Sequence, residues 1–251
     1  MLSSITQPIS SLMQIAAHGR KVEPSLLIDW LFSPIDPSRP HEIEGFSSWH
    51  ARLMVLAWMV LIPLGILGAR FFKVLPKQDW PNDLDNPSWW YAHLIFQWSG
   101  AALSVVAMGL ILWEIKEVQL FASPHHFLGW ITVLLLVFQV LGGLFRGSKG
   151  GPTYPAKDGS YRGDHFDMSK RRVVFETLHK SLGYIALLCA FLAVFVGLWS
   201  SNAMIWIWVV LGLWVVALGL IFRVLQKRHN PISTYQAIWG PDPSLPGNKS
   251  R

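Results

Sequence analysis

SLGYIALLCAFLAVFVGLWSSNAMIWIWVVLGLWVVALGLIF, residues 181–222, contains no acidic, basic or histidine side chain. A helix that crosses a bilayer needs about 20 apolar residues, so this run is long enough to cross twice. Ser200-Ser201-Asn202 interrupts it near its middle, which predicts two helices joined by a tight turn. Working outward, three further windows lack charge: Leu53–Ala69, Leu94–Trp113 and Phe127–Phe145. The expected spans are therefore roughly 49–71, 89–113, 125–146, 175–199 and 203–225. Trp49, Trp89, Trp90, Trp113 and Trp199 fall at their ends, where indoles favour the membrane interface.

Composition agrees. Of 251 residues, 52% are hydrophobic and 14% charged, against about 25% charged in a soluble domain. The expected fold class is an all-α integral membrane protein with five transmembrane helices. The single cysteine, Cys189, excludes an internal disulfide and argues against thiolate-held zinc or iron–sulfur centres. The net charge of +6 does not point to nucleic acid, because the basic residues flank apolar runs. No cleavable signal sequence is visible in the first 20 residues.

Around the core, residues 1–45 form one expected unit, 46–225 the membrane core and 226–251 a tail. Ile5, Ile9, Leu12, Met13 and Ala16 recur at helical spacing, and Leu26, Leu27, Trp30 and Leu31 make a second short apolar face. Both suggest helices lying on the lipid surface. Pro34, Pro37 and Pro40 mark a stiff connector, and the Pro- and Gly-rich tail is expected to be extended.

Orientation follows from charge. If the N-terminus lies on side X, five crossings put the C-terminus on side Y. Side X holds Arg20, Lys21, Arg39, Arg52 and Lys116, and side Y holds the other 16 of the 21 Lys and Arg. The positive-inside rule makes side Y cytoplasmic and places the N-terminus outside an inner (cell) membrane.

Histidines open four of the five segments. His50 stands at side X of the first, His93 at side Y of the second, the pair His125-His126 at side X of the third and His179 at side Y of the fourth. Ionisable groups in a bilayer are costly and mark function. Alternating helix direction gives one pair of imidazoles at each face, and two facing imidazoles can fill both axial positions of a haem iron. Zinc suits the pairs less well, since each face lacks a third and fourth ligand. HHFLGW (125–130) and HKSLGY (179–184) share a frame in which a glycine, Gly129 or Gly183, follows the histidine by one turn. A flat macrocycle would need room there, although close helix packing uses glycine equally well. The shared frame favours His125 over His126 as the ligand. No Cys-x-x-Cys-His motif is present, so any haem is held non-covalently.

The pattern resembles the cytochrome b561 superfamily, notably the membrane core of its DOMON-linked members. Matching stretches are His50 to Trp58 with Pro63-Leu-Gly65 and Ala69-Arg70-Phe-Phe-Lys73, His93 with Gln97, His125 to Gly129 with Gln139 and Gly142, and His179 to Gly183. The resemblance implies two b haems in a four-helix bundle. His50 and His125 would ligate the outer haem iron, with His126 as the alternative to His125, and His93 and His179 the inner one. It implies single-electron transfer between a donor and an acceptor on opposite faces, often from cytosolic ascorbate to monodehydroascorbate or ferric chelates. Without a DOMON domain in these 251 residues, donor and acceptor stay open. A quinol-linked cytochrome serving a periplasmic partner is one alternative. Another is a non-enzymatic subunit of a larger respiratory or photosynthetic complex, and a homodimer is a further form of assembly. Arg70, Lys73, Arg146, Lys149, Lys170, Arg171 and Arg172 are candidates to dock an anionic donor, although orientation alone also calls for them. His165 and Met168 in the loop before the fourth segment are weaker ligand candidates.

Overall fold

The computed structural model describes residues 24–41, 43, 45–114, 123–148, 157, 160, 163–228 and 231–249. The expected surface helix around Ile5–Ala16 lies outside the described residues, as do Lys116 and Lys149. A short helix, α1 (Pro24–Leu31), precedes five long apolar helices. These are α2 (Gly45–Phe71), α3 (Ser88–Glu114), α4 (Pro124–Leu144), α5 (Lys170–Ser200) and α6 (Ile205–Arg228). Each is long and apolar enough to cross a membrane, so the chain is a multi-pass membrane protein.

Antiparallel hairpins organise the bundle. α2 packs closely on α3 and α4 closely on α5, while α5 touches α2 only along a narrow line. That line is an apolar cluster of Ala57, Trp58 and Ile62 from α2 with Ala186 and Ala190 from α5. Small residues permit the close approach that drives helix association in lipid, where no hydrophobic force favours one apolar face over another.

Halfway along α2 the helix widens into a π stretch at Leu56–Leu61. Pro63 lacks the N–H that a regular helix would donate to the Met59 carbonyl. The indole Nε1 of Trp214 on α6 donates to that oxygen at 2.6 Å. Inside a bilayer no water can do so, and a helix break is tolerated only when a neighbour satisfies the freed group.

Two departures from the sequence reading concern the side Y rim. α5 begins at Lys170, about five residues earlier than expected, because Ser169 caps it and Glu176 pairs at i−4 and i+4 with Arg172 and Lys180. His179 therefore lies nine residues into its helix. The tail is not extended. α7 (Thr234–Trp239) and α8 (Pro246–Lys249) fold back on the rim, burying Tyr235, Ala237 and Ile238. Ser233 caps α7, the Tyr235 hydroxyl donates to the Phe166 carbonyl at 3.0 Å, and the Trp239 indole donates to His165 Nδ1 at 3.2 Å. Proline and glycine counts hid this because the tail folds on a distant partner, the turn at 163–169.

On side X the proline connector is docked. Asn202, buried and at φ +52° in the α5–α6 turn, donates to the carbonyls of Asp36 and Arg39 and accepts from the Asp36 N–H.

Candidate functional site

The four predicted histidines form two pairs, one near each end of the bundle. The rings of His50 on α2 and His125 on α4 have centroids 6.2 Å apart. Those of His93 on α3 and His179 on α5 are 6.4 Å apart. Each pair thus takes one ring from each hairpin. His126 is exposed, its ring 6.1 Å from that of His125, and its backbone N–H donates to the Ser123 hydroxyl.

Three rings are pinned within their own hairpin. His50 Nδ1 meets the Ala107 carbonyl at 3.0 Å, His93 Nδ1 the Gly65 carbonyl at 3.1 Å, and His125 Nδ1 the Ala193 carbonyl at 2.9 Å. A carbonyl only accepts, so each Nδ1 carries the proton and each Nε2 keeps its lone pair. This is the arrangement that prepares an imidazole to ligate a metal. His179 Nδ1 is buried without a hydrogen-bond partner.

Sequence reasoning missed these acceptors, since a backbone carbonyl has no signature. It also missed Gly197. A Cβ there would stand 3.0 Å from His125 Cε1 and Nδ1, so this glycine makes room for the ring itself. The space expected beyond Gly129 is open, whereas Gly183 faces the side-chain amide of Gln139.

The side Y pair lines a cavity of about 650 Å³. Gln97 and Gln139 are also among its walls, with the Gln97 amide tied to the Ile62 carbonyl at 3.1 Å. Arg70, Lys73, Arg146, Arg172 and Lys180 line it too, and Glu176 joins them. Glu176 accepts from Arg172 and Lys180 at 3.1 and 2.9 Å. Arg146 lies over the Trp90 ring at 4.0 Å, and that ring lies 6.0 Å from His93. Arg172 lies over Phe175 at 5.2 Å, and Phe175 lies 5.2 Å from His179. Each histidine of this pair is thus flanked by an aromatic that carries a guanidinium. Burial, and then repulsion from Arg172, pulls Arg146 below its ordinary value. Positive charge gathered this way favours an anion.

Residues 49–147 match the eukaryotic cytochrome b561 family. The resemblance drawn from His50, His93 and His125 holds over that stretch, and His179 lies beyond it. Ferric-chelate reductase 1 of Bos taurus is 29% identical over 167 residues, which cover 62% of this chain and 24% of that protein. A cytochrome b561, DM13 and DOMON domain-containing protein of Arabidopsis thaliana is 28% identical over 188 residues, covering 72% and 18%. A second Arabidopsis protein with cytochrome b561 and DOMON domains is 26% identical over 180 residues, covering 70% and 37%. The chain spans well under half the length of these relatives. No solved structure matches it. The cytochrome b561 match implies a b-type haem and supports transmembrane electron transfer in general terms.

The residues present fit such a group. A metal–imidazole bond is about 2 Å and the ring centre lies about 1.1 Å behind its nitrogen, so two axial rings should have centroids roughly 6.2 Å apart. The observed separations of 6.2 and 6.4 Å leave room for one metal ion in each gap. Among the described residues no cluster of three or more metal-ligating side chains exists elsewhere. His165 is not solvated. It is fully buried, accepts from Trp239 and faces Glu176 Oε1 at 3.7 Å, which makes it a packing element of the tail.

Proposed function

We propose that the chain is a dihaem b-type cytochrome that passes single electrons across the membrane, from a donor on side Y to an acceptor on side X. His93 and His179 hold the haem near side Y, which is cytoplasmic, and His50 and His125 hold the one near side X. The observation that carries this reading is the pairing of rings at 6.2 and 6.4 Å, three of them with Nδ1 bound to a carbonyl and Nε2 left for iron.

When bound, the haems supply a one-electron change at iron. The chain holds three of the four imidazoles in the tautomer that ligates and keeps the space between the two pairs apolar with Ala57, Trp58, Ala186 and Ala190. At side Y, Arg70, Lys73 and Arg146 attract a small anionic reductant such as ascorbate. This cationic lining favours such a donor over a neutral quinol. The name ferric-chelate reductase 1 borne by a relative suggests a ferric chelate as the acceptor class.

A reduced-minus-oxidised spectrum of the purified protein, with haem quantified per chain, tests the reading. Two low-spin haems per chain are expected. His93→Ala or His179→Ala should remove one haem, and His50→Ala or His125→Ala the other. Loss of both haems from every single change would refute the pairing.

A further inference from the structure

α6 contributes no histidine, yet it touches α2 at the one place where the helix leaves regular geometry. On α3, fourteen residues separate His93 from Ala107, whose carbonyl holds His50. On α5, fourteen separate His179 from Ala193, whose carbonyl holds His125. On α2, the same two functions fall on His50 and Gly65, which are fifteen apart. In a regular helix one extra residue would turn the Gly65 carbonyl about 100° away from His93. The π stretch at Leu56–Leu61 lies between them and absorbs that residue in its wider turn. It ends beside Pro63, where the Met59 carbonyl has lost its helical donor and takes the Trp214 indole instead.

We infer that Trp214 is a positioning residue for the side Y histidine pair, acting through the π stretch of α2. The inference rests on the dihaem reading above. Trp214 pins the junction between the two halves of α2. The half before the junction carries His50, whose own acceptor, Ala107, is on α3. The half after it carries the Gly65 carbonyl that orients His93 and the Ile62 carbonyl that holds Gln97. Loosening the junction therefore misaligns the side Y pair and leaves the side X pair in place.

The test uses the full-length protein in detergent or nanodiscs. Trp214→Phe keeps an aromatic ring and removes the N–H. Loss of an outer partner of a metal-ligating histidine typically costs 10–100-fold in affinity, so about a tenfold weaker hold on the side Y haem is expected. Its midpoint potential should shift while that of the side X haem stays fixed. Pro63→Ala returns a backbone donor to Met59, so Trp214→Phe in that background should restore both affinity and potential. Trp208→Phe is the matched control, because the Trp208 indole is buried without a hydrogen-bond partner on the same helix. Equal changes at both haems, no change at either, or failure of Pro63→Ala to restore would overturn the inference. A wild-type protein without two haems would instead overturn the dihaem reading.

Discussion

Gly197 offers a sharp test of the side X pair, because it touches a ring and no other histidine of the four. A methyl group placed there would stand 3.0 Å from His125 Cε1 and Nδ1, whereas ordinary contact begins near 3.4 Å. Gly197→Ala must therefore move the imidazole by about 0.4 Å. That movement stretches a 2.9 Å bond from Nδ1 to the Ala193 carbonyl, one turn earlier on α5. Gly197→Val adds two methyls on the same side, and the bond cannot survive. Removing an outer partner of this kind costs 10–100-fold in metal affinity, or about 1.4–2.8 kcal/mol at 1.4 kcal/mol per decade. Alanine should fall at the low end and valine at or past the high end. Titrating haem into the apoprotein, with the side Y haem of the same sample as reference, reads the effect directly. Unchanged affinity at both sites in Gly197→Val, or loss at the His93–His179 pair alone, would refute the reasoning.

Three further outcomes follow from the same geometry. His126→Ala should leave the haem spectrum nearly unchanged while His125→Ala abolishes one component, since His125 pairs with His50 and His126 is exposed; equal loss from both would contradict this. Trp239→Phe removes the donor to a fully buried His165, which should destabilise the tail by about 1–3 kcal/mol and speed proteolysis within residues 229–251. A reporter fused after Arg251 should register as cytoplasmic, and a periplasmic signal there would exchange the two faces without breaking either pair.

The spans were legible because a bilayer imposes a length and a composition that few other environments require. The pairing of histidines was legible for a related reason: helix direction alternates, so His50 and His125 had to share one face and His93 and His179 the other. Much of the remaining detail is backbone or non-local. Ala107, Gly65 and Ala193 act through carbonyls that any residue would possess. The π stretch sits in a uniformly apolar window, where periodicity is silent and only Pro63 hints at a break. Gly197 mattered more to His125 than Gly129 did, because the close contact crosses from α5 to α4 and cannot be seen along one helix. The tail reading failed because Tyr235, buried, and Trp239, half-buried, are held by residues 163–169, some seventy positions away.

The division of labour between the hairpins bears on how the molecule is made. Each hairpin orients its own imidazoles through bonds that never leave it: His50 and His93 in the first, His125 in the second. Between hairpins the protein contact is thin, a seam of Trp58 and Ile62 against two alanines. Whatever occupies the two gaps therefore becomes the principal adhesive of the bundle. On the dihaem reading, each cofactor would bridge the two hairpins and act as the rivet that joins them. On the same reading, a cell short of that cofactor would accumulate bundles held together by that thin apolar seam alone.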